Sequence, residues 1–229
     1  MINHRNLVTR IRIHCLASFC IRSEFVGRND RRIVYVVDDD RDVRLSLAFQ
    51  LRTLGYEAHP FVAATDFLEQ LAILPPGCIL LDVRMAGMDG VQAITELRRL
   101  GNDWPVIVMT GHAAVSIAVE VMKEGAVDFL EKPFEEQLLQ DALDGSFRKL
   151  ARDSEQMMAS ADAAERLCRL SPRESEVFRL LLTGEPNKLI AHTLQLSIRT
   201  VEMHRSNLLA KLGVRSIAEG AALVAKRLP

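Results

Sequence analysis

The chain has 229 residues, 26% of them charged and 48% hydrophobic, with a formal net charge of -1 and four cysteines. That length suits one large or two modest domains with a sizeable core, and no apolar run approaches the ~20 residues that cross a bilayer, so no membrane partner is expected. Cys15, Cys20, Cys78 and Cys168 have neither CxxC nor metal-ligand spacing, which argues against a disulfide framework or zinc site and for reduced thiols in a cytoplasmic protein.

The near-neutral total conceals an asymmetry. Residues 1–32 carry seven Lys/Arg against two Asp/Glu, residues 33–148 nine against nineteen, and residues 166–229 eleven against five. An acidic module joined to a basic one implies that only the second meets a polyanion. The first 31 residues show neither periodicity nor turn pattern and are expected to form a poorly ordered basic extension. Their apolar stretch, Ile11 to Ile21, is broken by Arg12, His14 and Ser18, so no signal peptide is expected.

From Arg32 to about Leu150 strands and helices alternate. Ile33 to Val37 is a β-branched run, followed at helical spacing by Val43, Leu47, Leu51 and Leu54 up to Gly55. Tyr56 to Phe61 reads as a weaker strand, and a helix from about Ala64 to Leu74 is closed by Pro75-Pro76. Ile79 to Leu81 and Pro105 to Met109 are the third and fourth strands. The helix of Val91, Ile94, Leu97 and Leu100 lies between them, and the helix from Val115 to Met122 follows. Val127 to Leu130 is the fifth strand, and the last helix starts near Glu135 and continues as a helical linker over residues 151–167. Strict β/α alternation implies a doubly wound, flavodoxin-like five-stranded parallel sheet, residues 32–150, covered on both faces.

Beyond the linker, residues 168–229 change texture. Ser171-Pro172-Arg173-Glu174 is a capping box with proline at the first helical position. Asn187 and Ser197 are placed to cap the next two helices, Gly213 stops the second of them, and Ser216 with Glu219 forms a further box. Four short helices, two joined by a tight turn, describe a small all-α helix-turn-helix domain.

The chemistry gathers where strands stop. Asp38 and Asp39 follow the first, Asp82 the third, Thr110 ends the fourth and Lys132 follows the fifth. In an open parallel sheet that rim is where ligands bind. Clustered carboxylates repel unless a cation joins them; Asp39, Asp82 and a backbone carbonyl just past Asp82 suit Mg²⁺. An Asp carboxylate is a competent nucleophile toward phosphoryl groups, with Lys132 and the Thr110 hydroxyl neutralising charge beside it.

Over about residues 32–150 this set resembles the receiver domain of two-component response regulators. The resemblance implies that Asp82 accepts a phosphoryl group from a sensor histidine kinase or small phosphodonor, assisted by Lys132 and Thr110. It makes Asp38 and Asp39 the acidic pair that holds Mg²⁺ together with Asp82 and the Arg84 carbonyl, Asp39 as a direct ligand. Thr110 and Phe129 match the switch pair, and the Lys132-Pro133 bond is expected to be cis. Arg84 and His112 hold positions that would tune the phosphoryl lifetime. Ala86 departs from the pattern, which usually has proline there, and is expected to loosen the loop.

On a helical wheel Val201, Leu208 and Leu212 share one side, while Arg199, Glu202, Met203 and Ser206 face away. Met203 suits a thymine methyl, Glu202 cytosine N4, and Arg199, Arg205 and Lys211 suit phosphates or guanine. The runs Leu170 to Glu174, Asn187 to Ala191, Thr200 to Arg205 and Lys211 to Val214 are similar to the LuxR-type helix-turn-helix of the FixJ/NarL group of regulators. By that resemblance Glu202, Met203 and Ser206 face bases, beside Arg199, Thr200, Arg205 and Lys211, and the last helix, Ile217 to Lys226, pairs two copies.

The combined expectation is a phosphorylation-switched DNA-binding transcription regulator that forms a homodimer, not an enzyme in its own right. The alternatives are a phosphate sink, or a phosphorylation-independent regulator acting through protein contacts. A Mg²⁺-dependent phosphohydrolase would place a second carboxylate two residues after its nucleophile, where this chain has Arg84.

Overall fold

The computed structural model describes residues 32–111 and 115–227. The basic extension expected over residues 1–31, and His112, lie outside the described residues. The chain divides into two compact units, the first ending at Leu150 and the second beginning at Ala151.

The first unit alternates β1 (Ile33–Val37), α1 (Arg41–Thr53), β2 (Glu57–Phe61), α2 (Ala64–Gln70), β3 (Cys78–Asp82), α3 (Gly90–Arg99), β4 (Val106–Thr110), α4 (Val115–Lys123) and β5 (Asp128–Glu131). A long helix, α5 (Glu136–Cys168), follows. All strand pairs are parallel, in the order β2-β1-β3-β4-β5. β1, β3 and β4 are buried along their whole length because helices cover both faces, which is why their sequences read as continuous apolar runs. The strand period of two still sorts the side chains. Tyr35, Val37, Ile79, Leu81 and Val108 pack toward Phe67 of α2, Ile94 and Leu97 of α3 and Val121 of α4. Val34, Val36, Leu80, Ile107 and Met109 pack toward Leu47 and Leu51 of α1 and Leu139 and Leu143 of α5.

Two local expectations are corrected. α2 stops at Gln70 rather than near Leu74: the amides of Leu71 and Ile73 turn to the carbonyls three residues back, at 3.3 and 3.0 Å. Pro75 disfavours helical geometry at Leu74, so the preceding turn tightens instead of extending. β3 runs one residue further than its apolar stretch and includes Asp82 itself.

The second unit contains the end of α5, then α6 (Pro172–Leu182), α7 (Asn187–Leu194), α8 (Ile198–Leu212) and α9 (Ile217–Arg227). Ala163, Val177, Phe178, Leu181, Ile190, Val201, Leu208, Leu212 and Leu223 form its core. The Ser171–Glu174 box closes both ways around Pro172. Asn187 does not cap α7; Pro186 holds that position and its carbonyl takes the amides of Leu189 and Ile190. Gln195, at φ 54°, turns the chain from α7 toward Ser197, whose hydroxyl accepts the Thr200 amide and caps α8. Before α9, the Ser216 hydroxyl accepts the Glu219 amide, but the Glu219 carboxylate reaches the Arg215 amide at 2.8 Å, one residue earlier than a capping box requires.

Candidate functional site

Strand register gathers the polar residues. Val37 pairs with Leu81, Asp82 with Met109 and Thr110 with Glu131, so the carboxyl ends of four neighbouring strands lie side by side. The Lys132 amide donates to the Thr110 carbonyl at 2.7 Å, which fixes where the lysine leaves β5. Its ammonium then lies 2.6 Å from Asp38 Oδ2 and 2.6 Å from Asp82 Oδ1. Asp38, Asp82 and Thr110 are buried. The Lys132-Pro133 peptide is cis. Phe129 is half-buried against the core on the α2–α4 side of the sheet.

Backbone amides complete the rim. Asp38 Oδ1 accepts the Asp40 amide at 2.9 Å, Asp82 Oδ2 the Arg84 amide at 2.8 Å, and Asp39 Oδ2 the Ala86 amide at 2.9 Å. Asp40 is drawn off to cap α1, accepting from Asp42 and Val43. Burial pushes the Asp82 carboxyl above its ordinary value and the charge of Asp38 adds to it, while Lys132 pulls the other way without prevailing. Burial lowers the Lys132 ammonium, but its bonds to Asp38 and Asp82 outweigh that and its pKa rises.

Three carboxylates with one ammonium leave this rim short of positive charge. Asp38, expected beside Asp39 on the metal, already has a donor on each oxygen, so among the described residues it is Asp39 that keeps an open oxygen, Oδ1. Among the described residues no three acidic, His or Cys side chains form a ready-made metal cluster, and Lys132 bonds both Asp38 and Asp82. The donor set that remains, Asp39, Asp82 and the Arg84 carbonyl, is all oxygen and undercharged, which fits a hard divalent cation such as Mg²⁺.

Arg44 and Gly90 contribute without having been expected to, and Ala86 contributes in a way its side chain does not announce. Arg44 donates to the Asp38 carbonyl at 2.6 Å, anchoring the loop that carries the acidic pair; its only signal is a position one turn beyond the cap of α1. Gly90 lies against the backbone of Asp82, where a Cβ would come within 2.6 Å of the Asp82 carbonyl oxygen, so α3 starts there only because the residue is glycine. Ala86 was expected to loosen the loop; instead its amide, which proline would lack, ties that loop to Asp39.

On α8 the wheel holds: Val201, Leu208 and Leu212 are buried, while Arg199, Glu202, Met203, Arg205 and Ser206 are exposed. Two expected DNA-binding residues have other employment. Thr200 belongs to the helix cap, its amide 3.0 Å from Ser197 Oγ and its hydroxyl 2.7 Å from the same atom. Lys211 donates to the buried Glu174 at 2.7 Å, joining α8 to the start of α6. Ile198, not singled out from sequence, is exposed at the first position of α8.

A family model for the response regulator receiver domain matches residues 34–144, and one for bacterial regulatory proteins of the luxR family matches residues 169–224. The chain is 40% identical to the transcriptional regulatory protein FixJ of Bradyrhizobium diazoefficiens over 81% of its own length and 91% of that protein. It is 43% identical to the C4-dicarboxylate transport transcriptional regulatory protein DctR of Rhodobacter capsulatus over 83% and 98%. Among solved structures, the response regulator StyR aligns at a TM-score of 0.76 with 37% identity, covering 86% of this chain and 99% of StyR. Full-length FixJ from B. japonicum aligns at a TM-score of 0.55 with 38% identity, covering 87% and 98%.

Proposed function

Because the chain belongs to the response regulators that join a receiver to a LuxR-type DNA-binding domain, the group of the FixJ transcriptional regulators, we propose that a phosphoryl group on Asp82 controls how its second unit engages duplex DNA. The observation that carries this reading is the paired contact of Lys132 with Asp38 and Asp82 at adjacent strand ends, at 2.6 Å each. An Asp82 carboxylate oxygen attacks the phosphorus of a phosphohistidine or small acyl phosphate, and the bond to the leaving group breaks with its electron pair. Lys132, already bonded to Oδ1, then balances the added charge. Mg²⁺, held by Asp39, Asp82 and the Arg84 carbonyl, would supply charge neutralisation on the phosphoryl oxygens and in-line positioning.

Thr110 and Phe129 are the switch: the Thr110 hydroxyl moves toward the new phosphoryl oxygens, and the half-buried Phe129 ring fills the space it leaves. A pre-existing equilibrium is shifted rather than a new state built. Two phosphorylated copies pair as a homodimer and present two α8 helices to two half-sites, Glu202, Met203 and Ser206 facing bases, Arg199 and Arg205 facing phosphates. A sensor histidine kinase is the donor partner.

The test is DNA affinity and oligomeric mass with and without acetyl phosphate and Mg²⁺, for the full chain and for Asp82→Asn. Acetyl phosphate is expected to double the mass and tighten binding at least ten-fold in the wild type alone. A response surviving in Asp82→Asn would move the switch elsewhere, and DNA affinity insensitive to salt would remove the DNA-reading role.

A further inference from the structure

Three backbone amides each hold one carboxylate of the rim, but they are not equivalent. Those of Asp40 and Arg84 bond an acid two positions away, whereas the Ala86 amide bonds Asp39 across 47 positions and ties the loop after β3 to the loop after β1. The donor exists only because residue 86 is not proline, the one residue without an amide hydrogen. Of the six carboxylate oxygens of Asp38, Asp39 and Asp82, five accept a protein donor; Asp39 Oδ1 accepts none among the described residues. The Ala86 amide thus holds one oxygen of an exposed side chain and leaves the other open.

We propose that the Ala86 backbone amide is a positioning group for a divalent cation. By fixing Asp39 Oδ2 it removes rotational freedom from the carboxylate and presents Oδ1 to the ion, so that less ordering remains when the cation arrives. This rests on the reading of the rim as a Mg²⁺ site. Hydrogen bonds behind metal-bound carboxylates typically change affinity by 10–100-fold. On an exposed loop the lower end applies, about ten-fold.

The experiment is Mg²⁺ titration of the full chain by calorimetry for wild type, Ala86→Pro and Ala86→Gly, with no phosphodonor present. Proline and glycine change loop stiffness in opposite directions, but only proline removes the donor. Ala86→Pro is expected to bind about ten-fold more weakly, and Ala86→Gly to stay within about two-fold of wild type. Equal weakening of both variants, or unweakened binding by Ala86→Pro, overturns the proposal. A second readout needs no variant and so survives a failure of Ala86→Pro to fold: hydrogen exchange of the Ala86 amide in wild type, which is expected to stay slow in both the metal-free and Mg²⁺-loaded protein. Exchange that accelerates on loading would mean that the amide and the ion compete for Asp39, which also overturns it. A wild type that takes up no Mg²⁺ overturns the Mg²⁺ reading itself, and this inference with it.

Discussion

Lys132 meets Asp82 at 2.6 Å in the first unit, and Lys211 meets Glu174 at 2.7 Å in the second; both acids are buried. Yet Asp82 is pushed above its ordinary pKa and Glu174 is drawn below its own. Burial raises both and is the largest influence on each. At Glu174 one ammonium, the Ser171 amide and the Ser171 hydroxyl all serve a single carboxylate, and together they win. At Asp82 the ammonium is shared with Asp38, whose own charge sides with burial. The second contact is a closed structural joint between helices. The first lacks positive charge, which is the condition of a site prepared for a cation and a phosphoryl group.

Removing each lysine separates the two cases most widely. In metal-free protein Lys132→Ala leaves two buried carboxylates without their common counter-ion, and urea unfolding is expected to show a loss of about 3–5 kcal/mol. Added Mg²⁺ should recover more stability in this variant than in wild type, because a cation then supplies what the ammonium supplied. Lys211→Ala is a milder loss, about 1–2 kcal/mol, since Lys211 is partly exposed and Glu174 keeps its bonds to Ser171. Mg²⁺ should leave that deficit unchanged. A larger cost for Lys211→Ala than for Lys132→Ala would collapse the contrast between joint and site.

The strand ends were legible because the apolar runs abut their polar residues: Val37 before Asp38, Leu81 before Asp82 and Met109 before Thr110, with only Glu131 between Leu130 and Lys132. Full burial of the central strands erased the alternating pattern but made the runs themselves conspicuous. The caps at Ser171 and Ser197 were legible for the same local reason, since donor and acceptor lie within one turn. Pairings across the fold were not legible. Lys211 looks like a free cation of a DNA-reading helix until α6 packs beside α8 and brings Glu174 to it, 37 positions away. The Ala86 amide has no side chain to announce it, and its bond to Asp39 depends on two loops meeting. For Lys211 and the Ala86 amide alike, the partner is supplied by packing between segments far apart in the chain, which no local pattern displays.

The smallest expected effect has the opposite sign. Asp82 has a folded-state pKa raised above its ordinary 3.8, so between those two values the folded chain binds more protons than the unfolded one. Stability therefore falls as pH rises through that window, and above it the ionised Asp82 is a standing penalty. Asp82→Asn removes the penalty and leaves Lys132 to Asp38 alone, so at pH 7 the metal-free variant is expected to be more stable than wild type by about 1 kcal/mol, with the gain vanishing below the carboxylate range. Glu174 sets the opposite slope. Its depressed folded pKa contributes stability above its ordinary 4.5 that is lost as pH falls through the folded value, so Glu174→Gln should flatten the acid limb of the curve. Unfolding free energies from pH 3 to 8 for the two variants check both signs at once. A stabilised Asp82→Asn with a flattened Glu174→Gln keeps the rim as the strained partner of the pair; a destabilised Asp82→Asn would show that Lys132 and the Arg84 amide already satisfy that carboxylate, and that no deficit waits there for a cation.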